Sequence, residues 1–239
     1  MKETSKEYLV EAIQLGLWNS QQNKIDRNII FNNNAWNDNL NFIFDSVLKL
    51  NNQHNLVCFK FSRSGFELVA IFDKNTKTLF SICSENTLSR LLKQDHIDKI
   101  HYTHSFCQLS NDKNSIVQEK MFFVIEDNDT INSLNKLLDK ITENFEYKNE
   151  VERYAIIETK INHKEMKLYN IRAVYLNKEY NISEIDDTWN KYIQTDYEEV
   201  FVNNGNIEAQ ENEEEDDNYL DNLISIKENI VLKEKNYEN

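Results

Sequence analysis

Across 239 residues the chain contains no proline and only three glycines, Gly16, Gly65 and Gly205. Turns therefore fall to Asn, Asp and Ser, which tolerate left-handed backbone and bond back to the main chain. The same scarcity removes whole classes of chemistry. Three isolated glycines cannot build a Walker loop, a dinucleotide fingerprint or a kinase-type loop. No Gly-x-Ser-x-Gly elbow occurs either, so phosphate-cradling and serine-hydrolase chemistry are not expected.

Hydrophobic residues make up 40% of the chain and aromatics 11%, enough to close a core. Apolar spacing predicts a helix over residues 5–18 and a second with Trp36, Leu40, Ile43, Phe44, Val47 and Leu48 on one stripe. The run NLVCFKFSRSGFELVAIFDKNTKTLFSICS reads as three antiparallel strands, with turns at SRSG and DKNTK. Ser84 is placed to cap a helix through Leu92. A strand is expected over Glu119–Asp127, and an amphipathic helix with Ile131, Leu134, Leu138, Ile141 and Phe145 on one face follows it. RYAIIETK and MKLYNIRAVYL read as a hairpin turning near Asn162 and His163, and a short helix or turn carrying Trp189 closes the folded part. Strands and helices in separate runs predict an α+β fold. Its antiparallel sheet, a three-stranded meander plus a later hairpin, would be packed with amphipathic helices. Residues 1–202 are expected to be one globular domain.

Residues 203–239 carry eleven acidic and three basic side chains, a large part of the net charge of −14. NNGNIEAQENEEEDDN has almost nothing to bury and predicts a disordered acidic linker. The segment after it restores Leu220, Leu223, Ile224, Ile226, Ile230 and Val231. That apolar stretch has two readings: docking on its own body, or ordering on a partner. The expected partner-binding residues are Glu213, Glu214, Glu215, Asp216, Asp217, Leu220, Leu223 and Ile224. Net negative charge favours a basic protein partner over nucleic acid. Nothing reaches the length of a membrane span and the first ten residues lack signal-peptide character, so a cytoplasmic protein is expected. Cys58, Cys83 and Cys107 lie far apart with no Cys-x-x-Cys pair, which predicts buried free thiols. No cofactor is expected, and the sequence leaves the oligomeric state open.

Four groups of residues merit weighing as sites. His101, His104 and Cys107 recur at threes, the spacing that would turn them to one helical face and suit zinc, with Asp98 as a fourth ligand. The plainer reading is a partly buried segment with ordinary histidines. Arg90 and His96 in RLLKQDH resemble the Arg…His signature of HEPN ribonucleases, where arginine binds a phosphate and histidine moves a proton. Here Leu91 follows the arginine where that family has a polar residue, and a solvated helix face explains the pair. Glu158 and Lys160, two apart on a strand, share a face and resemble the carboxylate–lysine pair of PD-(D/E)xK nucleases. The nearest upstream acid, Asp139, falls on a predicted helix rather than a neighbouring strand. Lys60, Arg63, Glu67 and Asp73 along the first hairpin form either surface ion pairs or a small polar site.

From Trp36 through KFSRSGFELVAIFDKNTKTLF, Glu85, His101–Tyr102 and NIRAVYL around Arg172, the chain resembles an uncharacterised bacterial family of unknown function, found mostly in Firmicutes and their phages. The resemblance covers residues 36–190. It implies a setting near toxin–antitoxin, repressor or phage-defence genes and assigns no site residue. The leading expectation is a non-enzymatic, acidic protein-binding component of a toxin–antitoxin, phage-defence or counter-defence system. The alternatives are an RNA-cleaving nuclease using Arg90/His96 or Glu158/Lys160, and a zinc-stabilised adaptor.

Overall fold

The computed structural model describes residues 1–27, 35–63, 65–93, 100–111, 128–162 and 165–195. Through Gln194 these form one unit; of the second unit, Thr195–Asn239, only Thr195 is described. The expected domain boundary at 202/203, the expected strand over Glu119–Asp127 and the acidic tail lie outside the described residues.

Two helices come first, α1 (Glu3–Asp26) and α2 (Ala35–Leu48). Leu9, Ala12, Ile13 and Leu17, whose spacing predicts this helix, are all buried on α1. The two helices approach closely at Gly16, where an added Cβ would lie 2.5 Å from the Ile43 Cα. The meander follows as β1 (Leu56–Arg63), β2 (Phe66–Asp73) and β3 (Thr78–Ser84), each antiparallel to the last. Ser84 accepts from the Thr87 N–H at 3.2 Å and caps α3 (Glu85–Lys93). After α4 (Tyr102–Cys107) and α5 (Asn128–Ile141) the chain enters the hairpin β4 (Arg153–Asn162) and β5 (Lys167–Leu176). A short β6 (Ile182–Asp186), which the sequence reading did not include, and a 3-10 helix (Thr188–Tyr192) with fully buried Trp189 complete the unit.

The strands of the described residues form one six-stranded sheet in chain order. It is mixed, which corrects the expectation of a purely antiparallel sheet: β3 and β4 run parallel, from Thr78 opposite Arg153 to Ser84 opposite Thr159. The long connection through α3, α4 and α5 supplies the crossover that parallel neighbours require. Because β3 and β4 are covered on both faces, six consecutive residues of each are buried. One core holds α1 and α2 against Leu56, Ile71, Phe80, Ile157, Ala173 and Trp189. The opposite core holds α3, α4 and α5 against Phe61, Phe72, Tyr154, Ile156 and Val174. Helices therefore flank the sheet on both sides.

Candidate functional site

The parallel pair points two strand ends the same way, and beyond them lies a polar groove of about 500 Å³ lined by Ser84, Glu85, Asn86, Thr87, Thr159, Lys160 and Ile161. Crevices at the carboxyl ends of parallel strands are where such sheets accommodate ligands. Lys160 stands exposed on this rim, 3.1 Å from Glu85 at the start of α3. Glu158, two residues earlier, is only 5% exposed. Its strand neighbours are Cys83 on β3 and Arg172 on β5, and its carboxylate accepts from the Arg172 Nε–H. Asp187 lies 4.0 Å from the same guanidinium. Burial and the Glu158 carboxylate together push the Cys83 thiol up to about 12, so that sulfur is no nucleophile near neutrality.

Structure thus brings Glu158 and Lys160 to one sheet end but gives each an opposite charge of its own. The acid expected on a neighbouring strand is absent from both: arginine and cysteine occupy those positions, and Asp139 sits on α5 bound to Lys148. Sequence reasoning did not assign Glu85 and Arg172 to this site. The sequence places Arg172 on the second strand of the late hairpin but does not supply the register that sets it opposite Glu158, which includes a shift between Lys160 and Ile161.

His101, His104 and Cys107 do not share a helical face. His101 is extended and caps α4; its Nδ1 accepts from the Thr103 N–H at 3.3 Å. His104 packs edge-on against Tyr180, ring centres 3.8 Å apart. Cys107 is fully buried, and burial holds its thiol well above the usual range. Among the described residues no three His, Cys, Asp or Glu side chains gather closely enough to hold a metal ion. Asp98 and His96 lie outside the described residues, whereas Arg90 is exposed on α3. The first hairpin also separates its charges. Lys60 stands opposite Val69 and Arg63 opposite Phe66, over the Tyr102 ring. Asp73, fully buried at the other end, accepts from the Asn75 N–H and the Thr76 hydroxyl. The expected partner-binding residues between Glu213 and Ile224 lie outside the described residues.

What the described residues offer is a neutralised polar groove and a charge distribution that is uneven in another way. They contain twenty basic and twenty-one acidic side chains. Residues 196–239 contain three basic and fourteen acidic. No helix of the described residues is long and apolar enough to cross a membrane. No curated protein and no solved structure matches the chain. A family model does, over residues 1–239, and the chain belongs to that family of unknown function, DUF5986.

Proposed function

We propose that this is a non-enzymatic binding protein that meets a basic protein partner through its acidic C-terminal segment. The observation that carries this reading is the division of charge: a folded unit whose described residues nearly balance, followed by forty-four residues with a net charge of −11. Such a segment steers encounter with a positively charged surface, and its apolar residues Leu220, Leu223 and Ile224 add anchors once contact is made. The strand-end charges support the reading as well, because Glu158 is held by Arg172 and Lys160 by Glu85. Toxin–antitoxin, phage-defence and counter-defence systems are the setting in which we place the partner.

The test is affinity capture from the native host with the full-length chain, at low and high salt. A companion variant replaces Glu213, Glu214 and Glu215 with Gln and Asp216 and Asp217 with Asn. A basic protein that is captured by the parent, eluted by salt and lost in the variant is the expected result. Capture that is indifferent to both salt and variant, or no captured protein, overturns the proposal.

A further inference from the structure

We propose that the outer edge of β1 takes an extended acidic segment of another protein as an added strand. This surface lies on the folded unit and stands independently of the acidic C-terminal segment. Among the described residues β1 is the outermost strand, paired with β2 alone. Two hydrogen bonds show which of its peptide groups face away from β2. The Cys58 N–H donates to Asn51 Oδ1 at 3.0 Å, and the Leu56 N–H donates to the Gln53 carbonyl at 2.8 Å. Alternation along a strand then turns the Lys60 and Ser62 peptide groups outward too. Both residues are exposed, and no described residue accepts from either N–H. Among the described residues, the loop before β1 therefore closes half of this edge and leaves the other half open.

An open edge is a template for another strand, and a lysine on it commonly serves as a guard. The sign of the guard decides what is kept out. β1 carries Lys60 and Arg63 and no acid. A second copy laid edge to edge with Lys60 opposite Lys60 sets cation against cation, whereas an acidic strand gains at the same position. Open ladder and matching charge are the elements of recognition by strand addition.

The probe is an acetylated octapeptide alternating valine and glutamate, compared with its valine–lysine counterpart, on the full-length protein. Lys60→Pro removes the outward N–H and leaves the bonds to β2 in place, since the Lys60 N–H is not among them. Lys60→Glu reverses the charge. The glutamate peptide is expected to bind at least roughly tenfold tighter than the lysine peptide and to slow amide exchange at Lys60 and Ser62. Lys60→Pro should abolish this binding with an unchanged unfolding midpoint, and Lys60→Glu should invert the preference. No binding at roughly millimolar peptide, equal binding of both peptides, or binding unchanged by Lys60→Pro overturns the proposal. So does a dimer of the parent that Lys60→Pro dissociates, which would assign the edge to a second copy. If Lys60→Pro does not fold, an unaltered preference in Lys60→Glu overturns it alone.

Discussion

Lys6 on α1 and Asp186 at the end of β6 meet in a nearly dry place: their side chains are 7% and 16% exposed and lie 2.8 Å apart. The Lys6 ammonium also donates to the Thr188 hydroxyl, and the Trp189 indole donates to the Asp186 carboxylate. Burial by itself would raise the Asp186 carboxyl; the bonds from Lys6 and Thr188 outweigh it and hold the group at about 2, against 3.8 when unfolded. A depressed carboxyl stabilises the fold fully above the unfolded value, and that contribution is lost as pH falls from 3.8 toward 2. Replacing Lys6 with Met leaves a largely buried carboxylate with only the neutral donors Thr188 and Trp189 and without its cation, and should cost about 2–4 kcal/mol in urea unfolding at neutral pH. The variant should also lose much of the parent's decline in stability over the acid range; an identical acid profile would contradict the assignment. The thiols make a second prediction at this scale. Burial pushes the Cys58 thiol up to about 12 and Cys83, with help from Glu158, to about 12. All three cysteines are buried, so a thiol reagent at neutral pH should label the native chain slowly and all three sites after unfolding. None of these partnerships was legible from sequence. Lys6 and Asp186 are separated by most of the unit, and only the closing of α1 over the 3-10 helix brings them together.

At the scale of elements, turns show where the composition argument holds and where it stops. Asn52 and Asn55 take φ of 63° and 62°, and Gly65 takes 85°, as a chain short of glycine predicts. His54, Lys77, Met166 and Tyr180 also have positive φ; histidine is enriched there, but nothing in lysine, methionine or tyrosine announces it. Met166 and Tyr180 are buried, so packing offsets the backbone cost there. Lys77 has no such compensation: its side chain makes an exposed ion pair with Glu152, of a kind worth little. Lys77→Gly should therefore raise stability by about 0.5–1 kcal/mol, the cost of holding a side chain in left-handed backbone. Gly16 presents the opposite case. A methyl group there would lie 2.5 Å from the Ile43 Cα and 2.7 Å from the Phe42 carbonyl oxygen, both backbone atoms. Gly16→Ala should force α1 and α2 apart and cost about 1–3 kcal/mol or more, despite the better helix propensity of alanine. Helix faces, the meander and the late hairpin were readable because their apolar periods are local. The parallel pairing of β3 with β4 was not, since it depends on how a connection of more than sixty residues crosses the sheet.

At the scale of the whole molecule, the net charge of −14 suggests a body under strong self-repulsion, but its placement along the chain says otherwise. With twenty basic and twenty-one acidic side chains, the described residues are close to neutral, and their mutual repulsion is minor. Folding and recognition should accordingly answer to salt in different ways. Unfolding of the full-length protein should show nearly the same urea midpoint at low and at physiological ionic strength. Replacing the five consecutive acids from Glu213 to Asp217 with amides should leave the unfolding free energy within about 0.5 kcal/mol of the parent's, the usual range of surface substitutions. Capture of a basic partner should fall steeply over the same range of salt, because charges separated by more than about 8–10 Å are screened there. A midpoint that climbed sharply with salt would mean that the acidic segment acts on the stability of the folded unit, and the division of labour between body and tail would have to be abandoned.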